Sequence, residues 1–513
     1  QAILAQAILV SPAADSPTVS IMGSGSSMGI QVAVQEASAD ELRQTLSALS
    51  EEARWKLQKA VEDACSDTCV RLPAHLAEGG TVELSPFDYM HYSPLKPIPM
   101  IWFYKETLDP SALLAALQRT LEAYPVLCGR YTSSPGVVEL NNAGVPVQIR
   151  TVHIPEMTLS EAIAHLPASS GQASPCIFQR GVHEDFVPAE EIWLGAAFPL
   201  LSVKITLFPT GGTAIGMLAQ HGIVDADAQI AFARNWSRVF RGLALEPAPI
   251  HDRCIVNTLA TGDLVAGEKP DGFKVRAFLP GEEYVPEFMV AMPKIGGSQV
   301  CVVPLPKSAM QELRAAASVG LQADQYISAD DVVTAHVWRA LCALRCTQLG
   351  LPTASEELTT CSRAWNFRKR TDPPIGAGYF GNGVSHVWTE LTVRELLAAT
   401  PSAVALRLRA TLKAHTPETV PARALWLQGQ HQAGNSARVV FDQHALTFVV
   451  SSWGFDWEGV NFNATPVCYD HGAHVPIVCV FVPRPEGDGL NVYASGPQDS
   501  MEQFARLLAR AEG

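Results

Sequence analysis

The chain has 513 residues, too many for one ordinary core and a fair length for two large domains. Apolar residues make up 47% and charged residues 17%, a balance that excludes long disorder away from the ends. With 37 Lys+Arg against 51 Asp+Glu, the formal net charge of −14 excludes the broad basic surface of a nucleic-acid-binding protein, though not a local basic pocket.

From the N-terminal end, Gln1 to Val10 is apolar but short, and no Lys or Arg precedes Arg43. That pattern fits neither a secretory signal nor an Arg-rich transit peptide. Residues 11–37 are rich in Ser, Gly, Pro and Ala and read as a flexible segment. Ser38-Ala39-Asp40-Glu41 has the form of a capping box, opening a helix with Leu42, Leu46, Leu49, Trp55, Leu57 and Val61 as its apolar positions. Residues 1–80 are therefore expected to form an extension, with the main body starting near Thr81.

Strand and helix patterns then alternate. Ile101-Trp102-Phe103-Tyr104 predicts a strand, and Asp109-Pro110 opens a helix carrying Leu113, Leu114, Leu117 and Leu121, closed by Pro125. Leu200–Phe208 and Ala214–Leu218 predict two more strands. Ala226–Phe240 predicts a helix whose stripe is Phe232, Trp236, Val239 and Phe240, stopped by Gly242. Residues 243–298 carry many Pro and Gly and suit a long crossover. A strand at Gln299–Val303 follows, then a capping box at Ser308-Ala309-Met310-Gln311. A second helix, capped by Ser328, runs through Val333, Val337, Trp338 and Leu341. Ile477–Val482 reads as a buried strand, and Met501, Phe504, Leu507 and Leu508 mark a last helix. No apolar run reaches the ~20 residues of a membrane helix.

The 11 cysteines are an odd, scattered set and are expected as reduced thiols, Cys342 and Cys346 serving packing. His471-Gly472-Ala473-His474 offers two histidines, too few for a metal site, and reads as a polar loop. Gly376-Ala377-Gly378 precedes an aromatic rather than a helix and is no dinucleotide fingerprint.

His221-Gly222-Ile223-Val224-Asp225 falls between a predicted strand and a predicted helix, which sets an imidazole at the mouth of a sheet. An imidazole titrates near working pH and suits general-base chemistry. In a chain with 14 histidines, an H-x-x-x-D match arises about once by chance, so the neighbours decide its meaning. Leu84-Ser85-Pro86-Phe87-Asp88, Ala335-His336-Val337-Trp338-Arg339, Arg368-Lys369-Arg370, Pro373-Pro374, Tyr379-Phe380-Gly381-Asn382 and Ser451-Ser452-Trp453 occur in an order that resembles the BAHD acyltransferases. The resemblance runs from about Thr81 to Leu508.

It implies an α/β fold of two chloramphenicol-acetyltransferase-like domains, each a mixed sheet with flanking helices, and an active site at their interface. The expected division is an N-terminal domain at 81–245, a crossover at 246–298 and a C-terminal domain at 299–513. The implied reaction transfers an acyl group from an acyl-coenzyme A co-substrate to a hydroxyl or amine of a small molecule. His221 would be the general base, with Ser451 and Trp453 donating to the developing oxyanion. No permanently bound cofactor or metal is expected, and the cofactor-binding residues remain unassigned. A soluble monomer of specialised metabolism is expected, in the cytosol or, with the native start uncertain, in a plastid or other organelle.

The chain departs from the family in two places. In the family the Asp of H-x-x-x-D pairs with an Arg opening a second-domain strand. Here that strand opens Ser298-Gln299-Val300, so Asp225 lacks the expected partner. The family's C-terminal Asp-Phe-Gly-Trp-Gly aligns with Asn461-Phe462-Asn463-Ala464-Thr465, with Asp456-Trp457-Glu458-Gly459 nearby. Asn461 is thus expected to hydrogen-bond Arg368 where the family forms an ion pair, and the chain reads as a divergent member. Two other readings stand beside the first. One is a condensation-type enzyme fed by a carrier protein, which would want His-His-x-x-x-Asp where this chain has Gln220. The other is a catalytically silent ligand-binding relative.

Overall fold

The computed structural model describes residues 67–77, 79–89, 91, 97–132, 134, 136–151, 158–164, 175–179, 186–188, 199–208, 210–258, 269–275, 299–435, 439–471 and 477–509. The Ser38 capping box and its helix, and His474, lie outside these residues. The chain divides into two compact units, residues 1–68 with 148–150, and residues 69–147 with 151–513. The larger unit carries everything that follows.

Its first sheet sets the strands Leu201–Leu207, Thr213–Gln220, Pro97–Tyr104 and Cys468–His471 side by side in that order. All three pairings are antiparallel. The Thr213–Gln220 strand is buried along its whole length, as suits a central strand covered on both faces. The helix Ala226–Phe240 runs over the predicted span, and Trp236 donates its indole N–H to Leu113 O at 3.0 Å. That bond ties it to the helix Pro110–Leu121, which Asp109 caps. Gly242 stops the longer helix in the left-handed region, at φ 74°, where a side chain would be strained.

The second sheet has the order Val384–Thr392, Leu358–Asn366, Thr447–Ser452, Val478–Pro483, Leu490–Gly496, Gln299–Leu305, Cys176–Gln179. Two of its pairings, 358–366 with 447–452 and 447–452 with 478–483, are parallel. The sheet is therefore mixed. Against it lie the helices Ala329–Leu349, Lys307–Ser318 and Gln498–Ala509, burying Trp338, Leu313 and Phe504 with Val303, Phe448 and Val492 in one core. Ser328 caps its helix as predicted, and Asp331 completes a capping box with it, donor and acceptor reciprocally satisfied.

The box predicted at Ser308 does not form. The helix starts at Lys307, behind Pro306, and has no side-chain cap, so Ser308 is already inside its first turn. Each sheet also takes a strand from the other half of the chain. Cys176–Gln179 extends the second sheet beside Gln299–Leu305, and Cys468–His471 extends the first beside Pro97–Tyr104. His471, read as part of a polar loop, is fully buried in that strand. Among the described residues no helix is long and apolar enough to cross a membrane. Nine of the described cysteines, Cys176 not among them, are free thiols, and burial pushes the Cys342 thiol up to about 12.

Candidate active site

The strand carrying the site ends at Gln220. Its carbonyl accepts from the backbone N–H groups of Ile223 and Val224 at 2.9 and 3.2 Å, closing a tight turn that begins with His221. Ile223 and Val224 are buried, so apolar packing anchors the turn while the half-buried imidazole of His221 projects from it.

The His221 ring is held by Asn382, which just precedes the second sheet's edge strand. Asn382 Oδ1 lies 3.1 Å from His221 Nδ1. The amide's orientation follows from its other contacts. Asn382 Nδ2 donates to the carbonyl oxygen of His221 at 2.7 Å and to Asp88 Oδ1 at 2.8 Å, both of which can only accept. Oδ1 is therefore the atom facing His221, and Nδ1 must carry the proton. The neutral ring then has its lone pair on Nε2, the form a base requires.

Asp88, fully buried on the short helix Pro86–Tyr89, braces Asn382 in turn. Its Oδ1 also accepts from Asn382 N at 2.9 Å, while Oδ2 accepts from Ser85 N and Arg253 Nη1, each at 2.8 Å. Sequence matching picked out Leu84–Asp88 and Tyr379–Asn382 as motifs without giving either a job. The structure brings their last residues together behind His221. Arg253, in a stretch without a motif, had no signal.

Asp225 has the partner that the sequence did not supply. Arg368 Nη1 and Nη2 reach its two oxygens at 2.8 and 2.9 Å in a buried bidentate pair. The same carboxylate caps the helix through Ala228 N at 2.9 Å and accepts from Gly383 N at 2.8 Å. Gly383 has to be glycine for a steric reason, because a Cβ there would stand 2.5 Å from Arg368 Cζ. The expected Asn461–Arg368 hydrogen bond is accordingly replaced. The guanidinium is taken up by Asp225 and the carbonyls of Tyr379 and Gly381, and Asn461 donates instead to Thr465 Oγ1 at 3.0 Å.

Ser451 and Trp453 lie at the end of the Thr447–Ser452 strand of the second sheet. The Trp453 indole N–H donates to Ser451 Oγ at 2.9 Å. That N–H is committed to the serine, and the Ser451 hydroxyl keeps its own hydrogen to give. Beyond them, residues 453–462 fold against the first sheet. Trp102 Nε1 donates to Trp457 O at 3.2 Å, and Tyr104 Oη to Val460 O at 2.9 Å. Phe462 is buried against Tyr104, Trp236 and Phe240. Asn463 takes φ 61° where the family motif has its first glycine, a conformation asparagine tolerates better than most residues. Asp456 is turned aside to Arg234, 3.3 Å away.

The family model for the Transferase family matches residues 65–508, nearly all of the larger unit. The chain belongs to the BAHD acyltransferase family. Tryptamine benzoyltransferase 1 of Oryza sativa subsp. japonica is 25% identical to it over 453 residues, covering 86% of this chain and 95% of the relative. Among solved structures, vinorine synthase superposes with a TM-score of 0.63 at 19% identity, over 86% of this chain and 97% of its own. F. graminearum TRI101 complexed with coenzyme A and deoxynivalenol gives 0.66 at 18%, over 83% and 96%. The fold of this BAHD chain is thus the pair of chloramphenicol-acetyltransferase-like domains, and its class is acyl-CoA-dependent O- or N-acyltransferase.

Of the three cations in Arg368-Lys369-Arg370, the first is consumed inside this BAHD fold by Asp225, while Lys369 and Arg370 are exposed. Among the described residues no group of His, Cys, Asp and Glu side chains could hold a metal ion.

Proposed function

We propose that this BAHD enzyme transfers an acyl group directly from an acyl-coenzyme A thioester to a hydroxyl or amine of a small molecule, with His221 as general base. The observation carrying this reading is the Asp88–Asn382–His221 chain, whose polarity leaves the lone pair on Nε2. In this reading Nε2 takes the proton of the acceptor as its oxygen or nitrogen attacks the thioester carbonyl. Charge develops on the carbonyl oxygen; as it collapses the C–S bond breaks, and the coenzyme departs as a thiol, taking the proton from His221 Nε2. Ser451 donates its hydroxyl hydrogen to that oxyanion, and Trp453 sets its rotamer by donating to Ser451 Oγ.

Direct transfer is favoured because His221 has no nucleophile beside it in sequence, its neighbours being Gln220 and Gly222. The thiol of Cys301, which could otherwise carry an acyl group, is buried in the core of the second sheet. The name of the rice relative, a tryptamine benzoyltransferase, supports including amines among the acceptors.

The test is thiol release from acetyl-, malonyl-, benzoyl- and hydroxycinnamoyl-coenzyme A with pooled alcohols and amines. A productive pair should give intersecting initial-rate lines and no thiol burst without acceptor. Parallel lines with an acceptor-independent burst would point to an acyl-enzyme instead.

A further inference from the structure

Outside every motif, one more side chain touches His221. The ring of His91, just beyond the Asp88 helix, lies flat on it, with centroids 3.9 Å apart and planes 2° from parallel. We propose that His91 is a positioning residue for the base, a stacked imidazole that holds the His221 ring in its plane and keeps it uncharged. The inference rests on His221 being the base.

The steric half follows from contact. Asn382 holds the ring by one nitrogen, a contact that alone permits rotation about the hydrogen bond. Full face contact with a second ring removes that freedom, because His221 cannot tilt without displacing His91.

The electrostatic half follows from like charge. Two imidazoles in face contact resist carrying two protons, and they titrate as a coupled pair. Whatever the intrinsic affinity of each ring, penalising the doubly charged state enlarges the fraction of molecules in which His221 is neutral. A proton on His91 lowers the pKa of His221, so the base survives to a lower pH than it would beside an uncharged ring.

The other groups around the pair leave this sign intact. His386, on the Val384–Thr392 strand, is pushed down to about 3 by burial, then by Arg423 and His221, and stays neutral. Arg423 donates to the His386 carbonyl at 2.7 Å. Asp88 reaches His221 through Asn382, and its charge is matched by Arg253 at 2.8 Å. Asp225, four residues on, is matched by Arg368. Phe441 is an apolar wall shared by His91 and His386, with centroids at 5.9 and 4.6 Å.

The experiment is the pH dependence of kcat/KM for the wild type, His91→Phe and His91→Ala. Phenylalanine keeps a flat ring and removes the charge, so the acid-side midpoint should rise by about one pH unit. Alanine should show the same rise together with a lower kcat at every pH, since the face of His221 is then unsupported. Normalised profiles of wild type and His91→Phe that superpose would overturn the proposal, for a packing role alone scales the rate without moving the midpoint. Should the variants not fold, a titration of the wild type with ¹⁵N-labelled histidine reads the same coupling. Two-step curves for both rings are expected, and independent single steps would overturn it. His221→Ala, inactive at all pH, is the control that separates the two claims; activity in that variant would sink the base assignment and this inference with it.

Discussion

Asn382 shows how a neutral amide can decide the chemistry of an ionisable neighbour. Its two N–H groups are spent on Asp88 and on the backbone of His221, so only its oxygen is left for the imidazole. A carboxylate in that place would favour the imidazolium and raise the pKa of the base, which would lose activity as pH falls at a higher pH than now. The amide fixes the tautomer without that cost. Asn382→Ala frees the ring and leaves Asp88 Oδ1 and the His221 carbonyl each short of one hydrogen bond; kcat should fall about 10- to 100-fold with KM for acyl-coenzyme A little changed. Steady-state kinetics at a pH above the acid limb measure this, and a kcat within twofold of wild type would contradict it. At this scale the sequence was partly legible. His221 and Asp225 were found by their spacing, and Asp88 and Asn382 were inside quoted motifs. Their joint purpose was hidden because residues 88, 221 and 382 meet only in three dimensions, and His91 had no motif at all.

Single elements are where the sequence was read most fully. The helix Ala226–Phe240 was legible end to end, because a capping Asp, a stripe spaced at helical intervals and a terminal glycine all agree. The Ser308 box failed because Pro306, with its fixed φ, already sets the helix start two residues earlier. Asp225 carries several loads at one helix end: N-cap to Ala228, bidentate partner of buried Arg368 and acceptor from Gly383. Removing it takes away the bidentate partner of a guanidinium with 2% exposure, leaving Asp227 at 3.5 Å and backbone carbonyls. Asp225→Ala should therefore destabilise the fold by about 3–5 kcal/mol, far beyond the ~1 kcal/mol of a lost cap. Chemical denaturation checks this, with the midpoint falling and the slope unchanged. A loss below about 1 kcal/mol would mean that the pair contributes nothing beyond the cap. The expected Asn461–Arg368 contact was misplaced for a related reason: a full carboxylate outbids an amide for a buried cation.

Over the whole molecule, two sheet-bearing halves were visible as alternating strand and helix patterns, whereas the exchange of strands between them was not. Cys176–Gln179 and Cys468–His471 are four residues each, and each pairs with a strand more than 100 residues away, a partnership that periodicity cannot encode. The exchange has a consequence for the site. In the proposed mechanism the base, His221, stands on the first sheet, its tautomer is set from the second by Asn382, and the Ser451–Trp453 pair belongs to the second, so that mechanism requires both halves in register. The most direct test of that account is product formation by purified His221→Ala, with folding verified, beside the wild type on one productive acyl-coenzyme A and acceptor pair. The predicted result is a kcat lower by at least about 100-fold with acyl-coenzyme A binding retained. Turnover at the wild-type rate would contradict it.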